Sequence, residues 1–292
     1  MININSQRLL LLPVGLALSL ITLLFGFLLY FSLPVIAQSD LSMLIGPWQP
    51  ESGQFGIGAM ILGSLLLGLC ATALALPLAI GVVCFCLLER YQTLGLWLRR
   101  LIRLMAGMPT VVYALTALFL LVPLLREIFV NSSGFCLLAA ILMVVLLILP
   151  TMVMMLDNHC LPLVRRYRQL TQSLGFSDLQ LLRYLVLPRS GRGLFSATLM
   201  GFNRGIGDTL LPMMLAGNAP QFSADLLDSM RTLTAHIGLV IATEHGSGMY
   251  NSLFVAGLVL LLFSTLVTAL VRRLAAPPKG NATTSSTPGA LS

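Results

Sequence analysis

The chain has 292 residues, 57% of them hydrophobic and only 9% charged, with a mean hydropathy of +0.94. A soluble domain carries about 25% charged residues, so this chain cannot cover a globule with a wetted surface and needs lipid around it. Its net charge of +7 comes almost wholly from arginines, and their placement marks membrane topology rather than a nucleic-acid surface.

In chain order, the first apolar stretch is Leu9–Ile36. It exceeds the roughly 7–15 residues of a signal-peptide apolar region and is read as a retained span. Further apolar stretches follow at Phe55–Leu88, Leu104–Leu125, within Ile128–Leu156, at Leu194–Ala216 and at Asn251–Val271. Each supplies the roughly 20 residues that cross a bilayer core. Six transmembrane helices are therefore expected, in an all-α polytopic membrane protein, because lipid offers no partner to an unpaired backbone group. Phe55–Leu88 is too long for one straight crossing. Either Pro77 bends it or its first turns lie along the interface.

The arginines assign the sides. With both termini in the cytoplasm, the cytoplasmic segments hold Arg8, then Arg90, Arg99, Arg100 and Arg103, then Arg165, Arg166, Arg168, Arg183, Arg189 and Arg192, then Arg272, Arg273 and Lys279. The outer segments hold only Arg126 and Arg231, beside Asp40, Glu51, Glu127, Asp225, Asp228 and Glu244. The organisation expected is a first span with its outer loop over 1–54, a transmembrane domain over 55–274, and a tail over 275–292. That tail is rich in Pro, Ser, Thr, Gly and Ala and is expected to be disordered. Cys70, Cys84, Cys86, Cys136 and Cys160 form no CxxC pair. His159, His236 and His245 have no ligand spacing, so no metal site is expected.

The longest cytoplasmic connection, 157–193, reads as two short helices. Pro162 suits a first helical turn and Gly175 a left-handed close. Ser177-Asp178-Leu179-Gln180 is a capping-box pattern that opens the second helix, and Pro188 is expected to stop it. Leu179, Leu182 and Leu185 or Val186 make an apolar stripe. The stripe either packs back on the chain's own bundle or forms a docking surface. Within the fifth span, Arg204 and Asp208 share an i, i+4 face, among Gly201, Gly205 and Gly207. Burying either charge alone costs about 2.5–3.5 kcal/mol or more. The pair either lines an anion path, Arg204 presenting its planar fork to oxyanion oxygens and Asp208 orienting it, or forms a structural ion pair between helices.

Several of these segments resemble a known family. Gln169-Leu170-Thr171, Gly175, Leu185 and Leu187-Pro188 match the spacing of the cytoplasmic motif of ABC importer permeases, Glu-Ala-Ala, three residues, Gly, nine residues, Ile, one residue, Leu-Pro, though Gln169 replaces the Glu. Gly201-Phe202-Asn203-Arg204-Gly205-Ile206-Gly207-Asp208-Thr209, running on to Ala216-Gly217-Asn218, is similar to the string of phosphate ABC permeases of the PstC/PstA type. Asn203 stands there for Gly and Asp208 for Glu. Met108–Tyr113, Met230–Ile237 and Leu253–Gly257 agree with the same family. The resemblance implies a type I ABC importer permease fold, closest to the C-type subunit, in the bacterial inner membrane. It implies inorganic phosphate as cargo and a substrate path through Arg204, Asp208, Thr209 and Asn203. It also implies an A-type sister permease as heterodimer partner, two ATPase subunits on the Gln169–Pro188 region, and a periplasmic phosphate-binding protein. No cofactor would be bound by this chain, and ATP and Mg would be used by the ATPase.

Two other readings remain. Sulfate, molybdate, tungstate or phosphonate suits an arginine as well as phosphate does, and a stand-alone ion-coupled carrier needs no ATPase. A membrane enzyme is disfavoured, because no convergent nucleophile, base or metal set is present and no Walker phosphate loop, HExxH or GxSxG occurs.

Overall fold

A chain in hydrocarbon must satisfy its backbone internally, and the computed structural model of this protein is accordingly built of helices, described over residues 4–39, 42–129, 132–223, 225–241 and 248–275. The longer helices are α1 (Ile4–Ser39), α2 (Gly58–Leu87), α3 (Gln92–Ala106), α4 (Thr110–Ile128) and α5 (Leu137–Ser173). A further helix, α6, spans 178–189. Then come α7 (Gly191–Gly207), α8 (Leu210–Leu215), α9 (Leu233–Val240) and α10 (Gly248–Ala275). A two-residue hairpin pairs Trp48 with Phe55 ahead of α2. The tail beyond Ala275, and with it Asp40, Glu244 and His245, lies outside the described residues.

The centre of the fold is α5. Its 37 residues rise about 55 Å, more than a bilayer core needs, so one helix serves both as a span and as the base of the next connection. Its buried face runs from Leu137 through Ile148 and Met152 to Val164. Against it lies α2, whose Leu67, Ala71, Ala75, Ala79 and Val83 are all buried. Their spacing of four makes a ridge of mostly small side chains, which lets two helix backbones approach closely. The same device seats α7 on α5. A side chain at Gly193 would strike His159, and one at Gly201 would strike Met152. Ala197, between them in the same register, is fully buried.

By contrast, α1 stands apart. Its Leu11–Leu33 window buries nothing except near its end, where it meets α10. There the Ser32 hydroxyl donates to the Phe254 carbonyl at 2.9 Å and Phe31 stacks on Phe254. At the opposite end of the bundle from α3, a second core gathers Trp48, Ile57, Met60, Leu233, Val255 and Ala256. His236 sits in it, bonded to the Ser252 hydroxyl at 3.0 Å and edge-on to Trp48. Burial, with Arg231 nearby, pulls the His236 ring down to about 4, so it is neutral at pH 7. All five cysteines are free.

Four expectations need correcting. Among the described residues five uninterrupted helices are long and apolar enough to span, and the remaining expected stretch, Leu194–Ala216, is not one helix but two, α7 and α8. The third span begins at Thr110 rather than Leu104, because residues through Ala106 belong to α3. Pro162 opens no new helix; it lies inside α5, where one lost N–H bond is tolerated within a long packed helix. Pro188 likewise does not stop α6 at Leu187. It sits in the last turn, which closes at Ser190, just after a wide π-type turn over Leu181–Val186.

One close approach is testable. A Cβ on Gly63 of α2 would stand 2.6 Å from the Arg231 carbonyl oxygen, a backbone atom that cannot rotate away, whereas one on Gly81 would meet nothing within 4 Å. Gly63→Ala is therefore expected to cost about 1–3 kcal/mol. In purified protein its thermal midpoint should fall by several degrees, while Gly81→Ala should hold or raise it.

Candidate functional site

Two regions carry the chemistry read from the sequence, and they lie toward opposite ends of α5. The first is the connection over residues 157–193. The last turns of α5 present Gln169 and Leu170 outward and bury Thr171. Gly175 then turns the chain with φ +75°, a conformation open to glycine because it lacks Cβ. Ser177 opens α6 through a complete capping box: its hydroxyl accepts from the Gln180 N–H, and the Gln180 side chain accepts from the Ser177 N–H.

The apolar stripe on α6 divides. Leu181, Leu182 and Val186 are buried against the bundle, and Leu185 and Leu187 are half-buried, with Pro188 exposed. Leu170, Leu174, Leu179 and Tyr184 remain exposed, Leu174 at 73% and Leu179 at 66%. The stripe therefore packs back on the chain's own bundle through Leu182 and Val186 and leaves Leu179 uncovered.

An ionic cluster that sequence spacing did not reveal holds this connection in place. Arg168 donates to the Leu87 carbonyl at the end of α2, at 2.8 Å. It also pairs with Glu89 at 3.2 Å and reaches Asp178 at 4.0 Å. Asp178 in turn accepts the Glu89 N–H at 2.9 Å. Arg99 of α3 pairs with Asp157 of α5 at 2.8 Å. Apart from Arg168 and Asp178, these partners are separated by dozens of residues, so no local pattern announces them.

The second region is the break between α7 and α8. After Gly207 the backbone of Asp208 turns extended, with ψ 132°. Its carboxylate accepts the Leu211 N–H at 2.9 Å, satisfying a first-turn donor of α8 as an N-cap does. The Asp208 carbonyl accepts from the Thr234 hydroxyl at 2.8 Å. Backbone groups freed by the break thus find partners on α9 and in the side chain itself.

This geometry overturns the Arg204–Asp208 pair. An i, i+4 contact needs a continuous helix, and the helix ends between them. Among the described residues no ion pair joins the two. Arg204 lies in the last turn of α7, about 20 Å from Gly191, where the negative end of the helix dipole favours a cation. It is exposed and forms no hydrogen bond or ion pair with a described residue. Thr209 is exposed beside it, and Asn203 and Asp208 are half-buried. Beyond α8, Gly217 and Asn218 take φ values of +79° and +61°. The Asn218 amide donates to the Met213 carbonyl at 2.6 Å, and Arg231 donates to the Asn218 carbonyl at 2.9 Å.

The comparisons with known proteins agree with this architecture. The sequence profile of the family described as binding-protein-dependent transport system inner membrane component matches residues 75–277. A Bacillus subtilis protein named probable ABC transporter permease protein YqgH is 30% identical over 236 residues, spanning 80% of this chain and 76% of that one. The phosphate transport system permease protein PstC of Mesorhizobium japonicum is 23% identical over 244 residues, 77% of this chain and 75% of the relative. The probable PstC of Methanocaldococcus jannaschii is 24% identical over 274 residues, 85% of each. An inward-facing structure of the MetNI methionine ABC transporter superposes with a TM-score of 0.53 at 15% identity, covering 76% of this chain and 95% of that chain. The type I importer permease fold expected from the sequence is the one observed.

The Arg168 cluster makes a graded prediction. Arg168→Ala leaves Glu89 and Asp178 as neighbouring carboxylates without their cation. Part exposure keeps the cost to about 1–2 kcal/mol. Asp178→Asn should cost less, because its amide oxygen still accepts the Glu89 N–H. Thermal midpoints of the two purified variants, falling in that order, would bear this out; equal midpoints would remove Arg168 as the anchor.

Proposed function

The chain belongs to the family of binding-protein-dependent transport system inner membrane components, the permeases of ABC importers, and from that premise we propose that it carries inorganic phosphate across the bacterial inner membrane. The observation that carries the proposal is Arg204. A guanidinium exposed to hydrocarbon near mid-bilayer would cost several kcal/mol, so its face must look onto water or another protein. A fixed planar fork of donors matches the oxygens of a tetrahedral oxyanion that sheds its water on the way. The PstC relatives, named as phosphate permeases, support that cargo, as does the string from Gly201 to Thr209.

In this reading Asp208 shapes the path rather than binding the anion. Its charge is committed to capping α8, and it holds the helix break open beside Arg204, with Thr209 and Asn203 on the same stretch. The exposed face of α7 would meet an A-type sister permease, completing the path between two similar chains. Leu170, Leu174 and Leu179 would seat on an ATPase subunit that binds the ATP and Mg, two copies serving the heterodimer. The outer loops hold Glu51, Glu127, Asp225 and Asp228. Such a surface repels a free anion, which favours delivery by a periplasmic phosphate-binding protein. The family's transport subunits are not catalysts, and no role in hydrolysis is assigned to this chain.

Uptake of radiolabelled phosphate at micromolar concentration in a deletion strain tests the cargo. Wild type should restore ATP-dependent uptake, and Arg204→Ala, at equal membrane level, should lose it by about 100-fold or more, the loss of an interaction worth about 3 kcal/mol. Restored uptake of sulfate or molybdate in place of phosphate would reassign the oxyanion while keeping the permease. Normal phosphate uptake by Arg204→Ala would remove the arginine from the path. Separately, Leu174→Asp with Leu179→Asp should abolish co-purification of the ATPase while leaving the chain in the membrane, because burying a carboxylate in an apolar contact costs more than the contact yields.

A further inference from the structure

A 15-residue helix with three arginines cannot cross a bilayer, yet α3 carries a continuous apolar face that the other described residues leave uncovered. Leu94, Trp97, Leu101 and Leu104 are exposed, Trp97 at 65%, and their i, i+3, i+7, i+10 spacing puts them on one side. A different side is used by the bundle. Gly95 lies against the Cys86 backbone, Ile102 is buried, and Arg99 is taken by Asp157. On the third side, Arg100 and Arg103 are exposed. Arg100 has no hydrogen bond or ion pair among the described residues and lies over the Trp97 ring at 5.7 Å. Arg103 spends one N–H on the Arg99 carbonyl.

The surroundings say what covers the apolar face. The helix connects the end of α2 to the start of α4, so it lies where two spans leave the membrane on the same side. Past α3, Met108 in the turn and Val111 and Leu115 in the first turns of α4 are exposed as well. Phe85, Leu94, Trp97, Leu98 and Leu101 line a shallow apolar groove between the end of α2 and α3, beside the Arg100 guanidinium. A groove for an acyl chain with a cation at its rim, and an indole at headgroup depth, is the composition of an interfacial amphipathic helix.

We propose that α3 lies in the inner-leaflet interface and docks an anionic phospholipid, its acyl chain in the Phe85–Trp97–Leu101 groove and its phosphate on Arg100 and Arg103. The inference is independent of the cargo. A zwitterionic lipid would fill the groove equally well, but only a net negative headgroup gains from two cations held at this depth.

Trp97 reports on its own surroundings. The full chain, purified with the subunits that accompany it, is placed in bilayers of phosphatidylcholine and phosphatidylglycerol in which one or the other carries brominated acyl chains. Subtracting the signal of Trp97→Phe isolates Trp97 from Trp48 and from any tryptophan of a partner. Brominated phosphatidylglycerol should quench Trp97 at a mole fraction at least about five-fold lower than brominated phosphatidylcholine, the discrimination of one interfacial arginine. Arg100→Gln with Arg103→Gln should bring the two titrations together while quenching persists. Equal titrations in the wild type would leave α3 in lipid without headgroup selection and overturn the proposal. So would a discrimination that survives both substitutions, or an indole that neither lipid quenches because protein covers it.

Discussion

Breaking a helix inside hydrocarbon frees backbone donors and acceptors that no solvent can satisfy, and the arrangement around Arg204 depends on how this chain meets that demand. Asp208 supplies one acceptor to the start of α8, and Thr234 on α9 supplies a donor to the Asp208 carbonyl. The break is therefore a built feature, held from two directions, and it fixes where α7 stops. Because α7 stops there, Arg204 occupies the last turn of a helix instead of the middle of one, and its side chain forms no ion pair with a described carboxylate. A continuous helix would have placed Asp208 on the same face and neutralised the cation.

The packing of α7 on α5 makes the break sharp in space. Gly193, Ala197 and Gly201 recur at intervals of four and admit the α5 backbone at distances that a larger side chain forbids. On its other side, Gly68 of α2 leaves room for Ile206 and Phe202. With α7 wedged between two helices by small residues, its open face is fixed by default. That face carries Arg204 and Gly207, with Thr209 exposed just past the break.

What was legible in the sequence was local chemistry. Gly175 turned left-handed and Ser177–Gln180 formed its capping box, because each outcome depends on a few adjacent residues. The apolar runs announced most of the spans for the same reason. Elsewhere tertiary contacts decide. The spacing of Asp208 and Arg204 suggests a pair, but the Asp208 side chain accepts the Leu211 N–H of the next helix. Hydropathy places Leu104 in a span, although it closes the 94, 97, 101, 104 face of an amphipathic helix. Pro162 suits a helix start, but the packing of α5 along its length outweighs one missing bond. The Arg168 cluster had no signal at all, since Glu89, Arg168 and Asp178 meet only after three helices are placed.

These two regions are also joined mechanically. The helix that ends in Gln169–Thr171 is the one whose Val144, Ile148 and Met152 pack against Gly205 and Gly201. The connection it leads into is tied through Arg168 to the Leu87 carbonyl at the end of α2, and α2 is the other wall of α7. Side chains packed at van der Waals distance resist compression, so α2 and α5 brace α7 from two sides. The junction that follows α7 consists of Asp208 and Thr209 alone, and Asp208 holds it by accepting hydrogen bonds from the Leu211 N–H and the Thr234 hydroxyl.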